Sequence, residues 1–86
     1  MIKIAKTRLF TKLYRRLPKH IQKKVDKQIL FVAQNLFHPS LETKKMGGLN
    51  RWEARIDKGY RFTFEKIDET IILKTVGPHD KGLGKK

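Results

Sequence analysis

The apolar residues of this chain change their spacing once, and that change limits it to a fold of helices packed on a sheet. Between Thr7 and Leu36 they recur at helical intervals. Leu9, Phe10, Leu13, Tyr14 and Leu17 form one stripe, and Ile21, Val25, Ile29, Val32 and Leu36 form a second. Pro18 separates the two, because the residue before a proline is steered away from helical geometry while proline itself suits a first helical turn. His38-Pro39-Ser40 closes the pair. From Trp52 onward the period is two: Trp52, Ala54 and Ile56 alternate with Arg51, Glu53 and Arg55, and Tyr60, Phe62 and Phe64 alternate with Arg61, Thr63 and Glu65. A third run, Ile71 to Val76, follows the turn Asp68-Glu69. Ile2 and Ile4, alternating with lysines, predict a short strand before the first helix, and Lys44-Lys45-Met46 predicts another beside the Trp52 strand. The expected fold is α+β in the order β-α-α-β-β-β, a small antiparallel sheet with a two-helix hairpin packed on one face.

Register decides which side chains meet. Asp57-Lys58-Gly59 lies between Ile56 and Tyr60. A two-residue loop would pair Ile56 with Arg61 and mix apolar with charged side chains. A three-residue loop ending in glycine pairs Ile56 with Tyr60 and Arg55 with Arg61, and gathers Trp52, Ala54, Ile56, Tyr60, Phe62 and Phe64 on one core face. The other face then displays Arg51, Glu53, Arg55, Arg61, Thr63 and Glu65. Counting outward from Asp68-Glu69 sets Leu73 opposite Phe64, Lys74 opposite Thr63 and Val76 beside Arg61. Gly77-Pro78 ends that strand, since proline cannot donate to a ladder, and His79-Asp80 follows.

Composition narrows the function. The 86 residues are enough for one core, so residues 1–80 read as a single domain and residues 81–86 as a flexible basic tail. The absence of cysteine excludes a disulfide framework, a cysteine-ligated zinc site and a thiol nucleophile. No apolar run approaches the roughly 18 residues of a membrane span, and Met1 to Lys6 is not a signal segment, so a soluble cytoplasmic protein is expected. There are 21 Lys+Arg and 8 Asp+Glu, a net charge of +13. Solubility needs only about 2 to 8 charges, and the surplus points to a polyanion. Residues 1–27 carry ten basic residues and Asp26, giving 10 − 1 = +9; residues 28–86 carry eleven basic and seven acidic residues, giving 11 − 7 = +4.

The smaller surplus contains the more informative placement. Like charges directly opposite each other destabilise a sheet. Arg55 facing Arg61, with Lys74 one strand over, therefore implies either an anion between them or compensation by Glu53 and Glu65. An arginine fork suits phosphate. Histidine as a side chain exchanges protons near neutral pH, which makes His79 a candidate acid or base, although a lone histidine after Gly-Pro is by itself a loop residue. Glu42, just ahead of Lys44, is by itself a surface glutamate. His20, His38 and His79 lack ligand spacing, so no metal and no cofactor are expected.

His38-Pro39-Ser40-Leu41, Lys44-Lys45-Met46-Gly47-Gly48, Trp52-Glu53-Ala54-Arg55-Ile56-Asp57, Gly59-Tyr60-Arg61 and Val76-Gly77-Pro78-His79-Asp80, in this order and spacing, resemble the RelE/ParE superfamily of toxins from bacterial type II toxin–antitoxin pairs. The resemblance covers nearly the whole chain, and its catalytic pattern is most similar to the YoeB-type and YafQ-type mRNA interferases. It implies a ribosome-dependent, metal-independent mRNA endoribonuclease that inhibits translation. Glu42 would be the base, Arg61 the phosphate clamp and His79 the acid, with Lys44, Lys45, Arg51, Arg55 and Lys74 on the RNA. It also implies a cognate antitoxin, acidic and partly disordered when free, contact with ribosomal RNA, operator DNA only through the antitoxin, and no membrane partner. YoeB-type enzymes carry a tyrosine after the histidine, where this chain has Asp80. The same fold also admits a ParE-like DNA gyrase inhibitor or a non-catalytic nucleic-acid-binding module.

Overall fold

The computed structural model describes residues 2–46 and 50–78. His79, the tail at 81–86 and the Gly47-Gly48 pair therefore lie outside the described residues. The elements are β1 (Lys3–Lys6), α1 (Arg8–Arg15), α2 (Lys19–Gln34), a one-turn 3-10 helix (Pro39–Leu41), β2 (Lys44–Lys45), β3 (Arg51–Asp57), β4 (Tyr60–Ile67) and β5 (Thr70–Pro78). The five strands form one sheet in the order β1-β5-β4-β3-β2. The expected antiparallel pairings are present, but β1 runs parallel to β5, with Ile4 opposite Ile71, so the sheet is mixed. Parallel neighbours need a crossover, and here the rest of the chain supplies it.

Thr7 makes the corner from β1 into α1. Its hydroxyl accepts from the Phe10 N–H at 3.0 Å, capping the helix, and donates to the Leu73 carbonyl at 3.0 Å. Pro18 occupies the N-cap position of α2. The Gln22 amide donates to the Tyr14 and Leu17 carbonyls and so ties α2 to the end of α1. The core lies between the helices and the sheet: Phe10, Val25, Val32, Leu41, Phe62, Phe64, Ile71 and Leu73 are all buried. Leu9, assigned to the first apolar stripe, is exposed instead. On α2 the buried face is Ile21, Val25, Gln28 and Val32, which leaves Ile29 at its margin.

Two register expectations are corrected. Arg55 does face Arg61, but Tyr60 pairs with Asp57 rather than Ile56, and a bulge falls at Ile56. The cause is the Asp57 side chain: its Oδ1 accepts from the Gly59 N–H at 2.9 Å and its Oδ2 binds the Lys24 ammonium at 3.0 Å. The turn thus closes on Asp57, while the bulge keeps Ile56 in the core. On β5, Leu73 faces Phe64 as expected. The register then shifts, so Thr75 rather than Lys74 faces Thr63, Val76 faces Phe62, and Gly77 takes the place beside Arg61. The shift sits where Thr7 draws on the Leu73 and Lys74 carbonyls, and the Thr63 and Thr75 hydroxyls then meet at 2.6 Å.

Candidate active site

The helix-free face of the sheet collects most of the expected site residues. Glu42 follows the 3-10 helix with a left-handed backbone, φ 45° and ψ 50°. Its Oε2 accepts from Arg55 Nη1 at 2.8 Å. The carboxylate beside Arg55 is therefore Glu42, whereas Glu53 faces Lys44 and Thr63 across the neighbouring strands. Arg61 is held differently. Its Nη1 donates to the Asp57 carbonyl at 2.7 Å and the Tyr60 carbonyl at 3.0 Å. Both protons of that nitrogen are used on the hairpin backbone. The Nε and Nη2 edge makes no hydrogen bond among the described residues, leaving a two-pronged donor of the kind that grips phosphate.

The remaining expected contacts divide. Glu65 stands between Arg51 (3.5 Å) and Lys74 (3.9 Å), so those two cations share a single carboxylate within the sheet. Lys44 and Lys45 are exposed on β2 at the sheet's edge, and the Lys45 ammonium lies 5.9 Å from the Trp52 ring centroid. The structure thus brings Glu42, Arg55 and Arg61 to one end of the face and sets Arg51 and Lys74 apart around Glu65. Among the described residues, no group of three His, Cys, Asp or Glu stands together as a metal site requires.

Two residues that the sequence pattern did not single out shape this end. Gln28 is 5% exposed, and its amide donates to the Arg55 carbonyl at 2.7 Å and the Ser40 carbonyl at 3.3 Å. It ties α2 to the strand that carries Arg55 and to the turn that leads into Glu42. The signal was a polar residue at the 25-28-32 spacing of a buried face, hidden when the stripe was drawn through Ile29. The other is Gly77, directly opposite Arg61, where an added Cβ would meet no atom within 4 Å. Among the described residues, the missing side chain leaves open space at the position that pairs with Arg61. Gly77→Ala should fold with an unchanged thermal midpoint; a fall of several degrees would show that the position has no room for a side chain.

Asp57 links this end to the helices. Burial alone would raise its carboxyl, but the Gly59 N–H, the Lys24 ammonium and the Tyr60 N–H outweigh burial and hold it below its ordinary value. A lowered folded-state value means that stability is present above the unfolded carboxyl pKa, about 3.9, and is lost as pH falls through the folded value. Urea midpoints should therefore drop below about pH 4, and Asp57→Asn should flatten that part of the profile.

Likeness to solved structures places the fold. No family model matches the chain, and no curated protein matches its sequence. Among solved structures, YafQ from E. coli strain BL21(DE3) superimposes with a TM-score of 0.79 at 11% identity, covering 98% of this chain and 100% of that one. A YoeB/ParE toxin from Agrobacterium tumefaciens gives 0.76 at 16% identity, covering 91% and 99%. The toxin–antitoxin complex YoeB–YefM from Staphylococcus aureus gives 0.74 at 15% identity, covering 92% and 98%. The chain has the RelE/ParE toxin fold over nearly its whole length.

Proposed function

We propose that this protein is the toxin of a type II toxin–antitoxin pair and that it cuts mRNA on the ribosome without a metal. The observation that carries this reading is the pairing of a carboxylate, Glu42, with Arg55, one strand from an arginine whose phosphate-gripping edge has no partner among the described residues, within the fold of the YafQ and YoeB toxins. Metal-free cleavage needs a base to take the proton of the 2′-hydroxyl as it attacks phosphorus, cations to stabilise the phosphorane, and an acid to protonate the departing 5′-oxygen. Glu42 serves as the base. Arg61 grips the phosphate through Nε and Nη2, and Arg55 shifts from Glu42 to the RNA backbone as substrate enters. His79, after the last described residue of β5, supplies the acid. Lys44 and Lys45 extend the positive track along the edge strand, and the lysine face of α2 (Lys19, Lys23, Lys24 and Lys27) faces ribosomal RNA.

The E. coli RelBE and S. aureus YoeB–YefM structures are toxin–antitoxin complexes, and by that likeness this chain is neutralised by an antitoxin of its own. Primer extension on a reporter mRNA after induction tests the reading. Wild type should give discrete cuts within translated codons and Arg61→Ala should give none. Intact mRNA together with inhibited gyrase supercoiling would replace it with a ParE-like activity.

A further inference from the structure

We propose that the groove along α1 is a second RNA site, one that holds the phosphate backbone of a double-stranded segment away from the candidate active site. The groove measures about 710 Å³ and is lined by Lys6, Arg8, Lys12, Arg15, Arg16 and two threonines. None of the five cations forms an ion pair among the described residues. The helix has no acidic residue in its first turn, and Arg8 occupies that turn, where the helix dipole disfavours a cation. Lys12 is four residues from both Arg8 and Arg16 and three from Arg15. Like charges at these spacings destabilise a helix. The dipole favours Lys12 and Arg15 in the last turn, but it disfavours Arg8, and crowding like charges gains no stability; a bound polyanion accounts for the whole cluster.

The lining identifies the polyanion. It contains no apolar residue, whereas protein interfaces are built around apolar and aromatic anchors and membrane-surface helices insert apolar side chains. Wholly polar, strongly positive contact surfaces are the mark of nucleic-acid interfaces. The lining also contains no aromatic ring. Single strands are held by stacking bases on aromatic platforms, while duplex RNA is gripped through its backbone and shape. The groove flanks β1 at one edge of the sheet, and Glu42 lies before β2 at the other. Four strand spacings of about 4.8 Å put roughly 19 Å between those edges, so a nucleotide at Glu42 does not fill the groove. Preference for RNA over DNA rests on the function proposed above; preference for a duplex backbone does not.

The test uses the full chain and fluorescence anisotropy with a labelled 2′-O-methyl RNA duplex, which keeps A-form geometry and phosphates but offers no 2′-hydroxyl to attack. Wild type should bind this duplex more tightly than the matching single strand or DNA duplex. Arg8→Glu/Lys12→Glu/Arg15→Glu should weaken binding at least 30-fold and flatten the slope of log K against log salt by about 2 to 3, three phosphate contacts at roughly 0.7 to 0.9 each. The glutamine triple variant, checked by circular dichroism, guards against a folding defect and should show the same slope change. Lys58→Glu/Lys66→Glu reverses charges outside both this groove and the lysine face of α2 and should weaken binding far less. Unchanged affinity and slope, an equal loss in that control, or tighter binding to single strands or DNA would overturn the proposal. Cutting by the wild-type chain is scored separately, so loss of one reading does not entail loss of the other.

Discussion

Glu42→Asn should lower the rate of mRNA cutting by about 100- to 10,000-fold, the usual contribution of a positioned general base, and leave the thermal midpoint unchanged or slightly higher. The two halves of this expectation have separate causes. A non-glycine residue in the left-handed region is strained, and asparagine tolerates that region better than glutamate. The ion pair lost with the carboxylate is exposed, with Arg55 and Glu42 side chains 36% and 50% accessible, and such pairs contribute only about 0 to 1 kcal/mol. Relief of backbone strain offsets that loss. A structural glutamate would behave in the opposite way, with stability falling and cutting following it. Single-turnover cleavage on purified ribosomes, run beside a thermal melt, separates the cases. Cutting at the wild-type rate would remove Glu42 from the mechanism, and a fall of several degrees in the midpoint would make it a structural residue.

Much of the architecture was legible because hydrophobic period is a strong signal. The two helices and the three long strands follow from where apolar residues recur. What escaped was the local chemistry that adjusts register. Counting residues in the Asp57-Lys58-Gly59 turn cannot show that the Asp57 side chain will close it and push Ile56 into a bulge, because that depends on Lys24, 33 residues away. The shift on β5 likewise depends on Thr7 reaching across 66 residues to the Leu73 carbonyl. The parallel β1–β5 pairing was missed for a related reason: two isoleucines among lysines mark a strand but not its neighbour.

The candidate site shows the same division. Arg55 opposite Arg61 was readable from alternation, whereas the contact between Glu42 and Arg55 was not, since it rests on a 3-10 turn ending in a left-handed residue. Nor was Gln28, whose buried amide bonds carbonyls from two distant segments. The helical surplus of charge was evident in the count. Its concentration in a groove along α1, apart from the sheet face, was a matter of packing.

Phe62→Ala should have the largest effect on stability of any single core change on the sheet, about 3 to 5 kcal/mol. The ring is fully buried on β4, with Ala54 and Val76 as its cross-strand neighbours and the Phe64 ring centroid 6.0 Å away. Ala54 offers no side chain able to move into the space, so the cavity stays open and the cost falls toward the upper end. At 0.05 to 0.15 kcal/mol per residue a chain of this length has only about 4 to 13 kcal/mol to lose. The variant should therefore be partly unfolded at 37 °C, with a urea midpoint well below that of wild type. Arg61 and Thr63 flank the ring, so cutting should fall in proportion to the folded fraction and recover when the assay is cooled toward the temperature of maximum stability. Glu42→Asn should show no such recovery, which makes temperature the variable that tells a residue holding the sheet together from one acting on the RNA. A loss under 1.5 kcal/mol on Phe62→Ala would mean that the sheet closes around the cavity and that the core is more plastic than the burial of this ring implies.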